Sequence, residues 1–215
     1  MPPRESFAVW RSALAWATGL TMACGLLMVW VDRPLALFFK AHADTVLIRA
    51  AATMTDLGKA WGWLIASAAI FLLARFVWRR AALAAQAGFV FTCIAVSGLT
   101  ADAIKAVLGR ARPKLLFLDG EYGFSFWRLG ADVTSFPSGH ATSAMALALS
   151  LAVVFPKFCY PLIGLGGLLA FTRVLTTAHY LSDVVAASAL AAATVVLVRM
   201  AFERRGFAPT GRHTG

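Results

Sequence analysis

The chain has 215 residues, 60% of them hydrophobic and 14% charged, with three cysteines and a net charge of +10. Its mean hydropathy of +0.75 excludes an ordinary water-soluble domain and points to a membrane solvent. The basic residues flank apolar runs and form no stripe or reader motif, so anionic headgroups explain the charge and nucleic acid does not.

The elements follow in chain order. Ser12 to Val31 is an uncharged run of 20 residues, matching the roughly 20 apolar residues a helix needs to cross a bilayer. It lacks a small-residue cleavage site and is read as a retained anchor, the first span, over 12–31. Asp32 to Lys59 joins it to the next span and holds the mixed apolar and basic pieces LALFFK and VLIRAAATM, suited to the membrane interface. Ala60 to Ala74, 15 uncharged residues between Lys59 and Arg75, predicts a second span over 59–78, with Arg75 snorkelling to the headgroups. Ala81 to Ala101, 21 residues, predicts a third over 81–105. The longest polar connection, Leu108 to Asp132, carries Gly109, Pro113, Gly120, Gly123 and Gly130 and reads as a shaped loop.

Val133 to Pro156 is uncharged for 24 residues and predicts a fourth span over 138–156. Phe158 to Thr172 and Val184 to Val198, 15 residues each, predict the fifth and sixth over 158–174 and 182–201. Gly164, Gly166 and Gly167, with the Ala-rich stretch Ala186 to Ala193, allow close helix packing. The Pro- and Gly-containing tail over 204–215 is expected to be disordered. The expected fold is all-α, a bundle of six transmembrane helices forming a single domain over 1–203. Cys24, Cys93 and Cys159 show no paired or metal-type spacing.

Six spans place both termini on one face. Each face then carries ten Lys and Arg, so the positive-inside count is a tie. Three of the cations opposite the termini, Lys105, Arg112 and Arg173, have a chemical reason to be there, and setting them aside leaves seven against ten. The termini are therefore expected to be cytoplasmic.

Chemistry-bearing residues gather at one set of helix ends. Lys105 and Arg112 are seven apart and share a face if the third helix runs on to Pro113. Asp102 is placed to pair with Lys105, and Arg110 points away from the Lys105 face. Glu121, Tyr122, Trp127 and Arg128 fall in the outer loop, where a solvated surface suffices to explain Glu121. SFPSGHATS, residues 135–143, opens the fourth span with Ser138 and Gly139 at a helix N-terminus, which favours anions. A plain serine cap would not need His140. Arg173 ends the fifth span, and His179 and Asp183, four apart, begin the sixth on one face. Taken singly these are ordinary anchors and caps. The third and fifth helices leave the membrane on the face where the fourth and sixth enter it, so all four ends converge.

Lys105 to Arg112-Pro113, Pro137-Ser138-Gly139-His140, and Arg173 to His179 to Asp183 together resemble the type 2 phosphatidic acid phosphatase superfamily at every motif position. The resemblance implies a lipid phosphatase acting on a polyprenyl diphosphate, phosphatidic acid, phosphatidylglycerol phosphate or lipid A type of substrate. In that scheme the catalytic residues are His179 as nucleophile, forming a phosphohistidine, Asp183 fixing its tautomer, and His140 as acid and then base. Lys105, Arg112, Ser138, Gly139 and Arg173 bind the phosphoryl oxygens. No metal and no cofactor is expected, since paired-metal phosphatases need several acidic or histidine ligands. The expected partners are the lipid phosphate and membrane lipids; oligomeric state is open. The expected location is a bacterial inner membrane with the site facing the periplasm. Phosphotransfer to another acceptor, a non-catalytic phospholipid binder or transporter, and a vanadium haloperoxidase are the competing readings.

Overall fold

A segment in hydrocarbon must satisfy its own backbone, and among the described residues this chain does so with helices. The structure, a computed structural model, describes residues 18–207. Its helices are α1 (Thr18–Ala41), α2 (Val46–Met54), α3 (60–77), α4 (Ala81–Leu108), α5 (Pro113–Asp119), α6 (Gly139–Val154), α7 (Cys159–Leu175) and α8 (Leu181–Arg204). The all-α expectation holds. Among the described residues there is no strand, only an isolated antiparallel bridge between Arg110 and Phe124.

Among the described residues five helical segments, Thr18–Ala41, Val46–Val77, Ala81–Leu108, Pro156–Leu175 and Leu181–Arg204, are long and apolar enough to cross a membrane. Helix α6 is shorter: its 16 residues extend about 24 Å at 1.5 Å per residue. It is also the hub, packed against α4, α7 and α8. Small residues make that possible. Ala141, Ala144, Ala146 and Ala148 are all buried, and a Cβ on Gly166 of α7 would lie 2.4 Å from Ala148 Cβ. Gly166 therefore serves the close approach expected of it, whereas Gly164 and Gly167 face open space. The hydroxyls of α6 satisfy themselves on their own helix: Thr142 Oγ1 donates to Ser138 O at 2.8 Å and Ser143 Oγ to Gly139 O at 3.0 Å.

Several boundaries differ from the sequence expectation. Residues 12–17 of the first span lie outside the described residues, as do 208–215 of the tail; Arg204 ends α8 and 205–207 turn away. The first helix does not stop before Asp32. It continues through a π turn at Leu27–Val31 to Ala41, because Asp32 is buried in an ion pair and is no surface residue. LALFFK thus belongs to this helix, and VLIRAAATM forms α2. Helix α4 ends at Leu108, short of Pro113. Gly109 adopts φ +57°, and a Cβ there would lie 2.1 Å from Ser125 O, so only glycine fits the turn. Arg112 consequently sits outside α4, at the N-cap of α5. The 108–132 connection is shaped, as expected: Ala111 N donates to Gly123 O and Ser125 N to Gly109 O, both at 3.0 Å.

Candidate active site

The site is assembled from the C-terminal ends of α4 and α7, the N-terminal ends of α6 and α8, and two segments the sequence did not mark. Ser138 caps α6, its Oγ accepting from Ala141 N at 3.5 Å, and its own N–H donates to Asp183 O at 3.2 Å. That bond ties the start of α6 to the start of α8. The first amides of α6, from Gly139 onward, have no acceptor within the helix and aim the positive end of its dipole outward. Lys105 lies directly over this end: a Cβ on Gly139 would be 2.7 Å from Lys105 Nζ. The same ammonium donates to Asp102 Oδ1 at 3.0 Å, as the spacing predicted.

His179 lies in the turn between α7 and α8 and is 3% exposed. Its Nδ1 is 2.9 Å from the carbonyl of Ser135, which can only accept. Nδ1 therefore carries the proton, and in the neutral ring Nε2 holds the lone pair. Asp183 Oδ2 is 3.6 Å from Nδ1, an ionic neighbour beyond hydrogen-bond distance. Asp183 instead accepts from Ser135 Oγ at 2.6 Å and from Tyr180 N at 2.9 Å, capping α8. The tautomer is thus set by Ser135, a residue inside the quoted motif that the spacing argument left without a role. Burial holds the imidazole below its ordinary value, against the opposing pull of Asp183, so the neutral form is favoured.

Arg112 and Arg173 complete the cationic side. Each acts electrostatically on His179, and Arg173 on His140 as well. Arg173 Nη1 donates to Thr55 Oγ1 at 2.8 Å. The Nε–H of both arginines is buried and unpartnered, an expensive state that an anion's oxygens would relieve. Burial works against the Arg112 charge and lowers its pKa from the usual value, outweighing the opposing pull of Asp183 and Asp132. His140, in the first turn of α6, packs against Gly58, where a Cβ would lie 3.6 Å from His140 Cβ. Beside it opens a cavity of about 320 Å³, bounded by Lys59 and Trp61 of the α3 entrance, Gly98 and Asp102 of α4, and Gly139. The arrangement can hold a tetrahedral oxyanion among Lys105, Arg112, Arg173 and the α6 N-terminus, with a lone-pair nitrogen and a second imidazole nearby.

Arg110, turned away from the Lys105 face in the sequence, is not a solvated loop residue but the centre of a buried cluster. It is 1% exposed. Its Nη1 donates to Asp183 Oδ1 and, at 2.7 Å, to Ser182 Oγ; its Nη2 donates to Asp32 Oδ2 at 2.8 Å and Tyr122 OH at 3.2 Å. Tyr180 and Phe124 stack over the guanidinium at 4.6 and 5.4 Å. Asp32 also accepts from Ser182 N at 3.0 Å. Helical periodicity failed here because α4 had already ended, so the Lys105 face says nothing about Arg110. Glu121, by contrast, pairs with Arg128 on the exposed loop, as a solvated surface would.

Among the described residues no group of three or more His, Cys, Asp or Glu is arranged to hold a metal ion. The profile of the PAP2 superfamily matches residues 86–207. Two relatives are each named "Lipid A 1-phosphatase". The one from Rhizobium etli is 36% identical over 118 residues, covering 55% of this chain and 51% of the relative. The one from Rhizobium johnstonii is also 36% identical over 118 residues, covering 55% of this chain and 48% of the relative. The chain thus spans about half the length of the curated relatives it matches. No solved structure matches it. The family profile covers all three motif segments gathered at this site, and the chain belongs to the PAP2 superfamily.

Proposed function

We propose that this protein hydrolyses the phosphate ester of a membrane lipid through a phosphohistidine on His179. The observation that carries the reading is the orphaned Nε–H of Arg112 and of Arg173 around a histidine whose Nδ1 is locked as a donor, leaving Nε2 as a nucleophile. Nε2 attacks phosphorus while the bond to the leaving oxygen breaks, and His140 gives that oxygen its proton. A water then gives a proton back to His140 and attacks the phosphohistidine, releasing phosphate and restoring both rings. Lys105, Arg112, Arg173, Ser138 and the Gly139 amide match the charge of the transferring group. The negative field of Asp183 favours the cationic phosphoimidazole.

The cavity beside His140 lies where the leaving group must be protonated, and its exposed Trp61 suits a lipid carrier. The relatives' name supports a lipid A type phosphate as the first substrate to try. The reading includes a sixth span by α6, cytoplasmic termini, and a site facing the periplasm of a bacterial inner membrane. The test is phosphate release from lipid A, polyprenyl diphosphate, phosphatidic acid and phosphatidylglycerol phosphate in detergent, comparing the parent with His179→Ala. Release by the parent and its loss in the variant is expected. Equal release by both removes His179 as nucleophile. Capture of the phosphoryl group by an added alcohol or lipid, with little free phosphate, makes the enzyme a transferase.

A further inference from the structure

The Arg110 cluster has a charge balance that its hydrogen bonds alone do not require. Asp32, Arg110 and Asp183 are all buried, with side chains 0–1% exposed. Arg110 binds Asp183 on the oxygen opposite to the one that faces His179. A guanidinium there cancels much of the field with which a lone Asp183 would favour positive charge on the imidazole. Asp32, reaching in from α1 to the other guanidinium nitrogen, returns one negative charge, so the three-residue cluster carries a net charge of −1. Removing Arg110 would leave two buried carboxylates uncompensated, so the trio is held as a unit.

We propose that Asp32 is a positioning residue of the active site: through Arg110 it anchors Asp183 and restores the negative field on His179. This rests on His179 being the reacting group. The other charged and titratable groups around His179 are Arg112 after α4, His140 on α6 and Arg173 on α7; Tyr122 and Tyr180 touch Arg110. The cations among them oppose a charged imidazole, and Asp183 with Asp32 is what offsets them.

Asp32→Asn is the informative variant. It keeps the volume and one of the two acceptor oxygens, so it gives up either the bond from Ser182 N or that from Arg110 Nη2, but it leaves Arg110 balanced by Asp183 and orphans no buried charge. The acid limb of kcat/KM for p-nitrophenyl phosphate in detergent is expected to move to lower pH by about one unit, with kcat falling about tenfold. KM stays within about twofold, since Asp32 touches no substrate. Ser182→Ala removes hydrogen bonds of the same cluster and no charge, so its limb stays in place. An unmoved limb in Asp32→Asn, or an equal shift in Ser182→Ala, overturns the proposal. A readout independent of turnover is the ¹⁵N-imidazole titration of His179, assigned among the chain's four histidines with His179→Gln. A midpoint lowered in Asp32→Asn supports the charge role even in a parent that releases no phosphate, in which case the phosphatase reading falls alone. An unshifted midpoint removes the role of Asp32 whatever the activity.

Discussion

Gly139→Ala separates binding chemistry from folding. Gly139 has no positive φ to preserve and is the first residue of α6, so alanine is conformationally acceptable and favours the helix by up to about 1 kcal/mol. Its Cβ, however, would lie 2.7 Å from Lys105 Nζ, closer than real Cβ contacts come. What gives way is the far end of a flexible side chain, already bonded to Asp102 at 3.0 Å. The fold absorbs the methyl by displacing Lys105 from the α6 N-terminus. Loss of one preorganised donor to the transferring phosphoryl group costs roughly 10²–10³ in rate, or about 2.7–4 kcal/mol. The expected result is an apparent Tm equal to or above the parent, with kcat/KM for a lipid phosphate down by about 10²–10³. Thermal unfolding in detergent and phosphate release on the same preparation measure both. Parental kcat/KM would refute the placement of Lys105 against Gly139, and a large fall in Tm would refute the claim that Lys105 is the group that yields.

Gly166→Ala, in contrast, is a stability variant. Its Cβ meets Ala148 Cβ at 2.4 Å between two packed helices, so overpacking of about 1–3 kcal/mol lowers Tm at about 2–4 °C per kcal/mol, read by the same thermal scan. The pH profile follows from His179. Its folded-state value is depressed by burial, so the neutral nucleophile persists, and the acid limb of kcat/KM lies below the ordinary value of about 6.5. Linkage has the same sign: between the folded value and about 6.5 the unfolded state binds more protons, so stability falls as pH drops through that window. A limb above 6.5 contradicts the burial argument. Phosphate release persists in excess EDTA after metal removal; a loss that one divalent ion restores would sink the metal-free mechanism.

Apolar run lengths located the long helices, and three motif spacings pointed to the family and to most of the candidate site residues. The reason is that both are local: a span is a property of about 20 consecutive residues, and a helix start or a four-residue offset places side chains before any packing is known. Lys105, Ser138, Gly139, His140, Arg173, His179 and Asp183 were legible as site candidates because they stand at or beside helix ends, which the run lengths locate before any packing is known. Arg112 meets them by another route, across a turn at Gly109 that the seven-residue spacing concealed. Asp32, Thr55, Arg110 and Ser135 were decided only by tertiary structure. Their partners are far away in sequence, Arg110 being 78 residues from Asp32 and Ser135 44 from His179. A buried charge is worth keeping only once its counter-charge arrives, and no periodicity within one helix records that arrival.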